Sequence, residues 1–488
     1  MAYDTSTSIP AFRGLNQYME INGDPTYAAE EKNVETKAGV LQPVAACTLL
    51  TPQLDHPIET LMLLHRRWYT GADDKDILVA ASNGKLYSML PNASEWTELT
   101  LPLASFYSNK WSWVTYEKSF STDNPPVDVL IISNEYDGMY MIRGDDMSVS
   151  HVQTPKVFGV IERHAERIWG GAIETDPDML VYSAPFDFTD WAARAENPED
   201  GAGDVLQPSW DGDSFTALRT FGDQLIAFKR TRVWRILGTN PGEYTMKEQY
   251  GGGAPYAKTI AVDTERILML TDKGVAAYDG VAVAPFQQQF CQDIWKRMNK
   301  SRLDKASAIL WNHKYYLAVP LDSSTINNAV IIYDTIENTW LLRDDLSVES
   351  FLGGEKDMWF TSSTTPGKIW KWAENSWDTG DCTASATRWV LPWMDLGAKN
   401  IVKGGFEIYF LAEVKDNPVT LSFSVQTEKK VKTKTYTVSP VINRGAKQKR
   451  LHFGGSGRRF RIIIESPASS PVWRLTSGLL VVTEIDPD

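Results

Sequence analysis

Apolar residues in this chain fall in short runs set off by turn-forming residues, and almost nowhere at helical spacing. Residues 77–81 (Ile-Leu-Val-Ala-Ala) are followed by Ser82-Asn83-Gly84-Lys85 and a second run over 86–90. The Asn-Gly pair supplies the positive φ angles that a two-residue hairpin turn requires. The same strand–turn–strand pattern joins 127–133 to 139–142, 225–228 to 233–237, 267–270 to 275–278, 315–319 to 330–333 and 358–361 to 369–372. These pairs recur every 40–60 residues or so, roughly the length of a propeller blade, although no fixed motif returns at fixed offsets. The pattern predicts an irregular β-propeller of roughly five to seven blades over 51–380, with a sandwich as the simpler alternative. Helical windows are few. The best is 290–299, extending at most to 303, and 27–32 and 189–196 allow no more than a turn or two.

The two ends read differently from the middle. Pro10, Gly14, Asn22-Gly23-Asp24-Pro25, Gly39 and Pro43 interrupt residues 1–50 and predict an extended arm. Beyond 380, the runs 389–393, 406–411, 419–425, 431–438, 459–465 and 478–484 alternate apolar and polar positions. They predict an antiparallel β-sandwich over 381–488. The chain as a whole is all-β, and its 18 Trp and 19 Tyr suit pleated, half-buried surfaces.

Charge is unevenly spread. The net charge is −13, yet residues 383–488 carry 16 basic and 9 acidic side chains, +7, which leaves −20 for the rest. An acidic body repels phosphates, and a basic end can pair with an acidic neighbour or with a second copy of the chain. Cys47, Cys291 and Cys382 are distant and odd in number, so they suggest neither a disulfide framework nor a CxxC metal pair. The first residues lack the basic and apolar regions of a signal peptide. No apolar run approaches the roughly 18 residues that would span a bilayer. The expectation is a protein neither exported by the usual route nor inserted in a membrane.

Candidate chemistry is sparse. The stretch 174–213 contains Asp176, Asp178, Asp187, Asp190, Glu196, Glu199, Asp200, Asp204, Asp211 and Asp213. Paired carboxylates serve glycoside hydrolysis, and clustered ones hold Ca²⁺. Pro177, Pro185, Pro198 and Pro208 instead predict a long exposed loop, solvated or touching another subunit. His56, His65, His151, His164, His313 and His452 lack HExxH spacing, and neither Gly251-Gly252-Gly253 nor 454–457 sits in a phosphate-loop context. Lys429, Lys430, Lys432, Lys434, Lys447, Lys449, Arg450, Arg458, Arg459 and Arg461 concentrate near the end, several at alternate strand positions that share one face. No enzymatic activity, cofactor or metal is expected from these patterns.

Three segments carry a family resemblance. The first is Pro10-Ala11-Phe12-Arg13-Gly14-Leu15-Asn16, then Glu31-Lys32-Asn33-Val34-Glu35 and Gly39-Val40-Leu41-Gln42-Pro43. The second is Leu180-Val181-Tyr182-Ser183-Ala184, the acidic stretch to Asp211-Gly212-Asp213, and 226–238. The third is 459–467 with 475–484. Together they resemble phage tail propeller proteins, in particular the packaged-DNA stabilisation (tail hub) proteins of short-tailed phages. The turn 333–340 also looks like that of kelch-type blades. The tail resemblance implies a structural virion protein that forms a ring, hub or nozzle, usually sixfold, below the portal and its adaptor. Such a ring holds packaged DNA, passes it without reading sequence, and carries a needle, spike or fibres. It would reside in the virion tail after assembly in the host cytoplasm. The expected oligomer or partner contacts are Phe12 and Leu15 of the arm, Asp200, Asp204, Asp211 and Asp213, and Lys430, Lys432, Arg450 and Arg459. Deleting residues 1–45 would then weaken contacts more than the fold. The alternatives are a propeller-type glycan-binding protein or glycosidase using carboxylates of 174–213, and a kelch-like scaffold.

Overall fold

The computed structural model describes residues 3–18, 21–44, 46–67, 75–121, 125–206, 212–238, 241–373, 385–415, 417–439, 448–468 and 472–486. Among these residues, seven antiparallel meanders succeed one another over 60–98, 112–152, 160–206, 215–248, 261–285, 307–343 and 350–372. The first strand of each lies innermost, and residues from six of them, with Ala257 and Lys258 just ahead of the fifth, surround one central cavity of about 520 Å³. The chain is therefore a seven-bladed β-propeller followed by a sandwich.

The hairpins read from sequence are the second and third strands of the blades. Asp76–Ser82 and Lys85–Met89 pair through Asn83 and Gly84, whose φ angles are 50° and 75°, as the Asn-Gly turn demands. These middle strands are buried on both faces because each blade is covered by its neighbours. Seven separate apolar cores result, one per interface between consecutive blades. The last joins Leu352, Trp359 and Ile369 of the seventh blade to Leu61, Leu78 and Ala80 of the first, which closes the circle. Tryptophans fill several of these gaps. Trp340 is fully buried and stands edge-on to Trp295 at 5.9 Å between the fifth and sixth blades. The helical window is realised as a short helix, Gln292–Arg297, flanked by 3₁₀ turns at Gln288–Cys291 and Lys300–Lys305. Residues 189–196 are not helical, and the nearby turn at Pro198–Asp200 is 3₁₀.

The sandwich packs two sheets around Trp389, Phe406, Phe410, Phe423, Phe460 and Trp473, with Phe410 stacked on Phe423 at 4.4 Å. One sheet is built on Val402–Val414, Gln448–Gly457 and Trp473–Asp486, the other on Thr387–Val390, Val419–Thr427, Val431–Val438 and Phe460–Ser466.

The arm is where the structure departs furthest from expectation. It is extended, but it does not reach outward. Tyr3–Ile9 pairs with Trp473–Asp486, and Val34–Lys37 and Val40–Pro43 join the same sheet. Glu30–Lys32 adds an edge strand to the other sheet. Gly14–Leu15 and Tyr27–Ala28 extend the sixth blade, so 27–32 is strand and not helix. Cys47–Leu49 supplies the outermost strand of the seventh blade. The described residues of the arm thus belong to both bodies, since a three-stranded blade or an uncovered core would leave backbone groups and apolar side chains exposed.

Candidate functional site

The arm crosses between propeller and sandwich at a joint built from Gly14, Asn22, Glu30, Glu31, Lys32 and Asn33. Gly14 adopts φ 136°, and a Cβ there would come within 2.9 Å of Thr339 and of the Trp340 carbonyl. Only glycine lets the arm lie this close to the sixth blade. Asn33 then ties three segments together. Its amide donates to Asp344 at 2.8 Å and to the Ala386 carbonyl at 3.0 Å, and its carbonyl oxygen accepts from the Asp344 N–H at 2.9 Å. Lys32 adds an ion pair to Asp344 at 2.8 Å. On the sandwich side, Arg388 bridges Glu30, at 2.8 Å, and Glu465. Asn22 donates to Asp395 at 2.8 Å. The arm's Gln17 accepts the N–H of Asp293 at 2.9 Å, at the start of the short helix.

Glu31 occupies the middle of this joint and is only 2% exposed. Both of its carboxyl oxygens face the Leu342 N–H at 3.3 Å. Burial pushes its carboxyl well above the usual carboxylate range; that backbone bond lowers it, and Asp344 adds to the rise. A carboxyl raised on folding binds its proton more tightly in the native state. Its contribution is therefore complete below the unfolded value of 4.5 and is lost as pH rises through the native value. Glu31→Gln should flatten this dependence. The expected result in urea melts is a variant whose gain over wild type is larger at pH 8 than at pH 5. An equal effect at both would show that Glu31 titrates normally.

The contacts expected from sequence fare unevenly. Phe12 and Leu15 are each 1% exposed, Phe12 against Trp389 in the sandwich and Leu15 in the core between the fifth and sixth blades. Neither side chain is available to a partner, because the arm folds onto its own chain. Asp200 and Asp204 are exposed, Asp213 is partly buried with an internal interaction, and Asp211 lies outside the described residues. The acidic stretch is not one loop. It contains the third blade's strands Met179–Tyr182 and Gly203–Leu206, and four of its carboxylates go to separate cations: Asp176 to Lys156, Asp178 to Lys229, Asp187 to Lys118 and Asp190 to Arg194. Among the described residues, no group of three or more His, Cys, Asp or Glu is placed to hold a metal ion.

In the basic cluster, Lys430, Lys432 and Arg450 are exposed and Arg459 is partly so; Arg450 pairs with Glu407. Lys432 and Lys434 stand opposite the core residues Val425 and Phe423, so their stems start on the inner face of the sheet. Lys434 reaches over Phe453 at 5.9 Å, and Lys449 over Tyr436 at 5.5 Å. These lysines cover the open side of the sandwich, where Val431–Val438 and Gln448–Gly457 are edge strands of the two sheets. Inward-pointing charges of this kind blunt unwanted edge pairing.

No family model matches the sequence, and no curated protein matches it either. Among solved structures, one titled "Crystal structure of BBS1N in complex with ARL6DN, soaked with lead" aligns at 12% identity and a TM-score of 0.38, over 66% of this chain and 95% of that chain. So loose a likeness carries no argument, and the propeller assignment rests on the sheets themselves. Among the described residues no helix is long and apolar enough to cross a membrane.

Proposed function

We propose that this chain is a structural subunit of a phage tail ring, a hub or nozzle that assembles from several copies below the portal and its adaptor. One observation carries the reading. The arm segments that resemble tail hub proteins, around Phe12-Arg13-Gly14-Leu15, Lys32-Asn33-Val34 and Gly39–Pro43, are the ones that join propeller to sandwich through Gly14, Asn33 and Leu41. A ring subunit must hold its interfaces at fixed angles, because heterologous contacts close into a ring only if the rotation per copy is constant. Two bodies connected by a loose linker would not meet that demand; a joint of three inserted strand segments does. The acidic third blade, with Asp200 and Asp204 exposed, and the basic end, with Lys430 and Arg459, offer opposite charges for neighbouring copies. Packaged DNA would pass through the ring without sequence-specific contacts, and fibres, a spike or a needle would attach to its outer surfaces.

Native mass spectrometry with negative-stain imaging tests this. The expected result is closed rings, formed by the chain alone or on addition of a portal–adaptor complex. A chain that stays monomeric through a wide concentration range, and ignores such a complex, would refute the proposal.

A further inference from the structure

One rim of the propeller channel carries five charged residues. Glu59, Lys110, Lys258, Lys305 and Glu349 each stand just before the first strand of a blade: the first, second, fifth, sixth and seventh. All first strands cross the channel in the same sense, so these positions gather at one mouth. Lys258 is central to the group, and Glu349, Lys110, Lys305 and Glu59 all act on its charge. The two acids are already served: Asn109 donates to Glu59 at 2.9 Å, and Ser363 to Glu349 at 3.5 Å. The three ammonium groups are not. Among the described residues, none of the three makes a hydrogen bond within 3.5 Å or has a carboxylate within 4.0 Å.

Beneath the rim the wall is mixed, with apolar Leu61, Trp113, Val160 and Phe351 beside the hydroxyls of Thr60, Ser112, Thr216 and Ser350. Farther along, Glu162 faces Arg219 at 3.9 Å and accepts the Thr220 N–H at 3.1 Å, so the bore's own inner charges are matched. We propose that this mouth is a binding site for a small polyvalent oxyanion, phosphate or carboxylate in type, gripped by Lys110 and Lys258, which both line the cavity, with the rest of the molecule in the bore. Lys110 and Lys258 reach this mouth from the second and fifth blades, and an anion placed between them is attracted by both. The cavity of about 520 Å³ is ample for such a ligand and within the usual size of small-molecule sites. Although the Lys258 side chain stays in reach of solvent, desolvation by the surrounding wall lowers its ammonium from the ordinary lysine range; Glu349 and Glu59 oppose this, Lys110 and Lys305 add to it, and a bound anion would favour the charged form.

The test is calorimetric titration of the full chain with inorganic tripolyphosphate, with citrate, and with spermine as the opposite-charge control. The expected result is one anion bound per chain, more weakly as salt screens the lysines. Preference for tripolyphosphate would mark a phosphate site, and preference for citrate a carboxylate site. Lys110→Met with Lys258→Met should weaken binding by at least roughly tenfold while leaving the thermal melt in place. Lys430→Met on the sandwich should leave binding unchanged. The proposal is overturned if neither anion binds, if spermine binds as well as they do, or if binding survives the double variant. None of these results depends on ring formation, so a monomer that binds the anion counts only against the tail reading.

Discussion

A chain lacking residues 1–45 should fail to fold, where the full chain melts cooperatively. The deletion removes Ile9, Phe12, Val34 and Leu41 from the sandwich core and Leu15 from the core between the fifth and sixth blades. Each such side chain contributes about 1.5–3 kcal/mol when fully buried. Five of them together match the whole stability of a typical domain, about 5–15 kcal/mol. Backbone pairing is lost as well: Trp473–Asp486 loses its partner over seven positions, and Thr387–Val390 loses an edge strand. The sandwich is expected to be the first part lost, visible as protease-sensitive cleavage beyond residue 385 and as aggregation. A truncated chain melting within a few degrees of the intact one would show that the arm is an accessory after all.

The second large effect should come from Lys229→Met. Lys229 is fully buried and its ammonium lies 2.5 Å from Asp178, whose side chain is 10% exposed. The pair connects the fourth blade to the third, and the Lys229 ammonium also lies over the Phe215 ring at 4.9 Å. Methionine keeps the volume but removes the charge, leaving Asp178 buried without this cation. Breaking a buried pair from one side costs about 3–5 kcal/mol, far more than an exposed pair is worth. Lys229→Met combined with Asp178→Asn should recover part of that loss. Urea unfolding measures both variants, and a loss below about 1 kcal/mol in the single variant would mean that water reaches the carboxylate.

How much of this was legible in the sequence depended on which face a strand presents. The middle hairpins of the blades, such as 225–237 and 267–278, are buried on both sides and stand out as apolar runs. Their innermost strands do not: Val160–His164 reads Val-Ile-Glu-Arg-His, because one face packs into the blade while Glu162 lines the channel. Nothing in the sequence around Lys110 or Lys258 marks them, since only closure of the propeller brings residues 148 positions apart to one cavity. The arm was misjudged for a related reason. Its strands are two to seven residues long, and Phe12, Val34 and Leu41 stand in apolar runs of no more than two residues between turn-formers and polar residues. Periodicity needs more residues than that, and what buries them lies more than 300 positions away. The basic alternation of Lys432 and Lys434 was visible, but its direction was not. Only the register against Val425 and Phe423 shows that those lysines begin on the inner face.

The pairing of Tyr3–Ile9 with Trp473–Asp486, and of Cys47–Leu49 with Ile369–Trp372, governs the order in which the protein can be made. During translation residues 3–9 emerge long before their partners at 479–485. The seventh blade stays one strand short until 369–372 have left the ribosome, and the sandwich core stays open until 473–486 have followed. Throughout that interval the nascent chain carries unpaired strand edges and uncovered apolar faces, the conditions under which all-β chains aggregate or pair with one another. High contact order slows the final closure further. Yield in a recombinant host should therefore respond to slower synthesis and lower temperature more strongly than to any change at the molecule's surface.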